Sequence, residues 1–92
     1  MSEPKLTLTN IFSSRARAKI LEVLAVESEI NISEIIHMTA LNHACVEKHL
    51  EFFKEVDFVE EKRFGRIRIY RFKDENINAH GLKNLIKLWR FG

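Results

Sequence analysis

The stretch KRFGRIRIYRFK, residues 62–73, gathers six cationic side chains, Lys62, Arg63, Arg66, Arg68, Arg71 and Lys73, with no Asp or Glu among them. The whole chain has 15 Lys and Arg against 13 Asp and Glu, a net charge of +2, so nine basic residues face thirteen acidic ones elsewhere. A nearly neutral chain polarised in this way can present a cationic surface to a polyanion. Duplex nucleic acid is the densest such target, and neutralising its phosphates with Lys and Arg releases counterions, which supplies most non-specific affinity. Gly65 interrupts the run and permits a tight turn, which would hold Lys62, Arg63, Arg66 and Arg68 out towards a minor groove or its flanking phosphates. Cations on a hairpin also simply protect an exposed edge against aggregation. The segment alone does not separate these two uses.

A second set of residues tests for metal chemistry. Cys45 and His49 lie four apart, a spacing compatible with two ligands on one helix, but a stable zinc site needs three or four. His43 is two residues from Cys45 and so points elsewhere, and His37 and His80 show no convergence with either. Neither metal nor cofactor is expected; Cys45 reads as a small buried residue behind a turn, and His49 as a core-edge residue with a hydrogen-bond partner. The chain carries no Gly-rich phosphate loop, no nucleophile with a plausible base and no convergent carboxylate pair, so an enzyme is not expected. A single cysteine excludes an intrachain disulfide. The start, MSEPKLTL, lacks the layout of a signal peptide and no apolar run approaches the roughly 18–20 residues that span a bilayer, which makes a cytoplasmic location the expectation.

These side chains need a scaffold, and 92 residues suffice for one small domain. Residues 1–12 form an N-terminal arm whose structure the pattern leaves open. Ser13 or Ser14 caps a helix in which Ala16, Ile20, Leu21 and Leu24 share a face, ending near Glu27. INI at 30–32 reads as a brief strand, and Ser33 as the cap of a short second helix. Asn42 caps a third helix with Val46, Leu50, Phe53 and Val56 inward. From Phe58 the chain turns to β-branched and aromatic residues on either side of Gly65, a hairpin. One of Asp74, Asn76 and Asn78 caps a last helix with Leu82, Leu85, Ile86 and Trp89 at i, i+3, i+4 and i+7. The fold class is therefore mainly α with a small β-hairpin (α+β), in the order α-β-α-α-β-β-α.

That order is the winged helix-turn-helix arrangement. The segment SSRARAKILEVLAVESEINISEIIHMTALNHACVEKHLEFFKEVDFVEEKRFGRIRIYRFKDE, within a likeness covering roughly residues 12–75, resembles the winged-helix domain of ArsR-like transcription regulators and related small archaeal regulators. INISEI, the helix VEKHLEFFKEVDFVEE and the strand GRIRIYRFKDE carry most of the likeness. The metal-sensing members have a Cys-x-Cys arrangement or Asp and His pairs on the last helix; neither occurs here, so metal sensing is not implied. Where the family favours glycine after the third helix this chain has Asp57, which tolerates the left-handed conformation better than most residues.

In this arrangement the third helix enters the major groove. Its outward residues are Asn42, His43, Ala44, Glu47, Lys48 and Glu51. Asn42, His43 and Lys48 can donate to bases or phosphates, whereas Glu47 and Glu51 repel phosphate and could help only by accepting from a cytosine amino group. The alternative is a solvated face with helix-spaced ion pairs, and a fold turned to protein contacts. Arg15, Arg17 and Lys19 at the start of the first helix could grip a flanking phosphate, or could be plain surface charges. The resemblance implies that the terminal helices form a dimer interface, here Gly81, Leu82, Leu85, Ile86 and Trp89 on a helix over 76–90, with Leu6, Leu8, Ile11 and Phe12 of the arm joining it; the alternative is packing within the chain. The resulting expectation is a homodimer that binds double-stranded DNA and regulates transcription, with no membrane or small-molecule partner. Its rivals are a nucleoid-type protein of low sequence specificity and a winged-helix assembly module.

One conflict is visible in the wing. Arg66, Arg68, Tyr70 and Phe72 share one strand face, Ile67, Ile69, Arg71 and Lys73 the other, so neither face is cleanly apolar.

Overall fold

The computed structural model describes residues 7–11 and 13–91. Its elements are α1 (Leu8–Ile11), α2 (Arg15–Val26), β1 (Ile30–Asn31), α3 (Ile32–Thr39), α4 (His43–Glu55), β2 (Val59–Phe64), β3 (Ile67–Phe72) and α5 (Ile77–Phe91). The expected order is present, preceded by the single turn of α1 in the arm. The expectations for Leu6 and Phe12, and for the side chain of Leu8, lie outside the described residues.

Helix starts follow side-chain capping. Ser14 accepts from the Arg17 amide at 3.1 Å and Asn42 from the Cys45 amide at 2.8 Å. The cap of α3 is Asn31, not Ser33: the Asn31 side chain accepts from the Glu34 amide at 2.9 Å, and the Asn31 amide donates back to Glu34 at 3.4 Å. Pairing of Asn31 with Ile69 in the sheet holds it extended, as an N-cap requires, and leaves Ser33 inside the first turn. For α5, Asn76 is the residue whose side chain accepts from the amides of Asn78 and Ala79.

Helix α4 ends in a Schellman motif. The Phe58 amide donates to the Phe53 carbonyl at 2.8 Å and the Asp57 amide to the Lys54 carbonyl at 3.0 Å, with Asp57 at φ 66°. The buried Phe53 and Phe58 supply the apolar contact that accompanies this motif. The left-handed Asp57 is held by Lys73, whose Nζ donates to its carboxylate at 2.7 Å, and by Asn76, which donates to its carbonyl at 2.9 Å. One turn thus ties α4, the hairpin and α5 together.

The three strands form an antiparallel sheet in the order β1-β3-β2. Its inner face and the helices enclose one core containing Ile20, Leu21 and Leu24 of α2, Ile35 of α3, Val46, Leu50 and Phe53 of α4, and Tyr70 and Phe72 of β3. The register resolves the conflict over strand faces. Val59, Glu61 and Arg63 stand opposite Phe72, Tyr70 and Arg68 on the core side, while Lys62 and Phe64 stand opposite Ile69 and Ile67 on the outer side. Ile69 is flanked by Asn31 and Lys62 and is half-buried; Ile67 stays exposed.

Candidate nucleic-acid interface

The turn between α3 and α4 sets the angle of the candidate recognition helix. Ala40 ends α3 at φ 60°, Thr39 donates its hydroxyl to the Ile35 carbonyl at 2.7 Å, and Lys19 of α2 reaches the Thr39 carbonyl at 3.3 Å. With Val46, Leu50 and Phe53 fully buried, α4 turns His43, Ala44, Lys48 and Glu51 outward. The Asn42 side-chain oxygen is occupied by its cap, which leaves its amide nitrogen available to donate. Cys45 is half-buried rather than buried, because its position on α4 lies between the core face and the outward face.

Glu47 is not a bare acid. Its carboxylate accepts from Arg68 Nη1 at 2.8 Å, and His43 Nδ1 lies 3.7 Å away. The Arg68 hydrogen bond holds the Glu47 carboxyl below its ordinary pKa. Glu51 is likewise met by Lys54 at 3.2 Å.

Arg68 joins a wider network. Its side chain is only 15% exposed; Nε donates to Glu61 at 3.0 Å and Nη2 to the buried Tyr70 hydroxyl at 2.6 Å. Glu61, 7% exposed, also accepts from Lys54 Nζ at 2.5 Å and from Arg63 Nε at 2.9 Å. Burial alone would raise the Glu61 pKa, but the hydrogen bonds from Lys54, Arg68 and Arg63 outweigh it and lower it to about 2. Burial likewise opposes the charge on Arg68, and Glu47 and Glu61 reverse that, raising its pKa. Lys54 and Glu47 lie on α4, Glu61 on β2 and Arg68 on β3, so this network fastens the wing to the helix. Sequence reading missed it. The signal was the period of two in VEEKRF, which places Glu61 on the same face as the core residue Val59.

The cations at the wing tip point outward. Arg63 is 65% exposed, and Lys62 reaches Glu29 at 3.3 Å while staying exposed. Arg66 is exposed and among the described residues has no ion-pair partner. Arg71 and Lys73 are engaged locally, Arg71 with Glu60 at 2.8 Å and Glu75 at 3.2 Å, and Lys73 with Asp57. At the start of α2 the two arginines differ. Arg15 is exposed, whereas Arg17 lies 3.7 Å over the Phe52 ring, donates Nε to His49 Nδ1 at 3.1 Å and reaches Ser13 at 3.1 Å. His49 thereby has the partner expected of it. Its burial first, and the Arg17 charge second, lower its pKa.

On α5 the apolar residues divide between two directions. Leu82 and Ile86 pack on the chain's own core. Ile77, Leu85, Leu88 and Trp89 are exposed, Trp89 by 84%, and with Gly81 they form a stripe spaced as a helix face. Beside this stripe runs a groove of about 420 Å³ lined by Thr7, Ile11, Phe58, Ile77, Leu82 and Leu85, among others. Among the described residues no helix is long and apolar enough to cross a membrane.

No family model and no curated protein matches the sequence. Solved structures do match the fold. HlyU from Vibrio cholerae superposes with a TM-score of 0.77 at 15% identity, over 92% of this chain and 86% of that one. The transcriptional repressor PagR of Bacillus anthracis gives 0.69 at 23% identity, over 86% and 87%. A homodimeric winged helix-turn-helix DNA-binding domain from Mycobacterium bovis, described as a possible ArsR-family transcriptional regulator, gives 0.65 at 25% identity, over 82% and 67%. The chain has the winged helix-turn-helix fold, and its structural neighbours include a possible ArsR-family transcriptional regulator, in line with the sequence resemblance.

Proposed function

We propose that this chain is a homodimeric, sequence-selective double-stranded DNA-binding regulator of transcription, with α4 in the major groove and the β2–β3 wing on the minor groove and its phosphates. The observation that carries the reading is the bond from Arg68 to Glu47, which neutralises an acid that would otherwise repel phosphate and links α4 to a wing tip bearing Lys62, Arg63 and Arg66. His43, Ala44, Lys48 and the Asn42 amide would then face bases, with Arg15 on a flanking phosphate. Arg17 and Arg68 act from behind, as positioning residues. The activity is binding without chemistry and calls for no cofactor, small molecule or membrane, in keeping with a cytoplasmic protein.

Residues 1–92 act as one winged-helix domain, residues 1–12 as an arm and residues 76–90 as the dimerisation helix. Leu85 and Trp89, with Gly81 allowing close approach, meet their counterparts across a two-fold axis, while Leu82 and Ile86 support them from the core. Two-fold symmetry spaces the recognition helices by about 34–36 Å, one turn of duplex.

One observation favours a low-specificity, nucleoid-type alternative: with Glu47 bound to Arg68 and the Asn42 oxygen used as a cap, few groups remain to read bases. Selection from a random duplex pool separates the two. The expected result is a two-fold symmetric motif whose half-sites are about 10 base pairs apart, lost in the Leu85→Glu variant, which should sediment as a folded monomer. Retention of DNA without any enriched motif would replace the regulator with the nucleoid-type protein.

A further inference from the structure

Phe64 and Ile67 are cross-strand partners at the very end of the wing, on its outer face, and are 63% and 54% exposed. Two large apolar side chains at the tip of an edge hairpin are unusual, because such positions are normally polar and guarded by charge. Gly65, at φ 62°, closes the turn between them, and a side chain there would meet nothing within 4 Å. Arg63 precedes Phe64 and the exposed Arg66 lies between Phe64 and Ile67, and no acidic residue lies between Lys62 and Lys73. The surface is therefore an apolar point inside a cationic collar, and its partner must combine an apolar cleft with dense negative charge.

We infer that Phe64, backed by Ile67, is an apolar wedge that enters the minor groove and partly unstacks a base step, so that the protein bends the DNA it binds. The inference rests on the DNA-binding reading above. The groove offers deoxyribose walls and base stacks between two rows of phosphates, and wedges of this residue type open such steps in other minor-groove binders. A lipid surface also joins anionic and apolar layers. The duplex is favoured because the wing is fastened through Arg68 to α4, whose outward His43, Lys48 and Glu51 are polar, so the neighbouring surface suits a wet groove.

A duplex that is already unstacked spares the wedge its cost, which gives a direct test. Binding is measured by fluorescence anisotropy to a uniform duplex and to the same duplex with a central two-nucleotide bulge, for wild type, Phe64→Ala and Phe64→Leu. Wild type and Phe64→Leu should prefer the bulged duplex by about tenfold. Phe64→Ala, which removes an exposed ring and leaves the fold intact, should bind both alike with an unchanged dependence on salt. Equal preference in Phe64→Ala and wild type, or no preference in wild type, would overturn the wedge while leaving DNA binding in place. Failure of wild type to bind either duplex would remove the DNA-binding reading and the wedge together. Sedimentation of wild type, but not Phe64→Ala, with vesicles of mixed phosphatidylcholine and phosphatidylserine would assign the apolar tip to a bilayer and overturn the wedge.

Discussion

The guanidinium of Arg68 on β3 donates to the carboxylate of Glu47 on α4 at 2.8 Å, across the junction between the wing and the candidate recognition helix. Behind this bond Arg68 and Lys54 share Glu61, so three secondary elements meet on one nearly buried carboxylate. Removing one partner of such a cluster leaves the others desolvated and unpaired, which costs more than the pairing itself contributes. Glu61→Gln should therefore lower stability by about 3 kcal/mol, measured by urea denaturation. A double-mutant cycle with Arg68→Met should give a coupling energy above about 0.5 kcal/mol; additive effects would show that the network does not act as a unit.

Much of this architecture is readable from the chain. Ser14 and Asn42 announce helix starts, and the helical spacing of Val46, Leu50 and Phe53 identifies the buried side of α4. Gly65 marks the wing turn. Arg68 was harder to place, because its charge suggests an outward position while its parity with Tyr70 and Phe72 places it on the core face. Only the register, which sets Glu61 opposite Tyr70, shows how that charge is satisfied. Asn31 displaced Ser33 as a cap for a similar reason, since its extended backbone comes from pairing with Ile69, a partner 38 positions along the chain and invisible to local pattern.

Ala40 occupies the left-handed region without being glycine. A Cβ there costs about 1–2 kcal/mol, and glycine adopts the same angles without that penalty. Ala40→Gly should raise the melting temperature, by about 4–8 °C for each kcal/mol gained in a domain of this size. An unchanged or lower melting temperature would mean that the Ala40 methyl makes a compensating contact.

Acid should lower the stability of the protein in two separable windows. The folded pKa of His49 lies below its ordinary value, so its contribution is complete above about pH 6.5 and declines as the pH falls below that. For Glu61, whose pKa falls from 4.5 to about 2, the contribution is complete above about pH 4.5 and is lost as the pH drops towards 2. In melting temperatures recorded from pH 8 to pH 2, His49→Gln should flatten the upper window and Glu61→Gln the lower. Profiles parallel to wild type would show that neither group is linked to folding in this way.

The most direct measurement of DNA binding by the wing is fluorescence anisotropy on a random duplex from about 50 to 200 mM salt, comparing wild type with Arg63→Ala/Arg66→Ala. Both side chains are exposed, and Glu61 keeps Lys54 and Arg68 when Arg63 is removed, so the variant should keep its fold. The expected result is a steep loss of wild-type affinity with salt and a slope shallower by about 2 in the variant, one for each phosphate contact removed. Absence of binding by wild type at the lowest salt, or identical slopes for the two proteins, would contradict phosphate recognition by the wing.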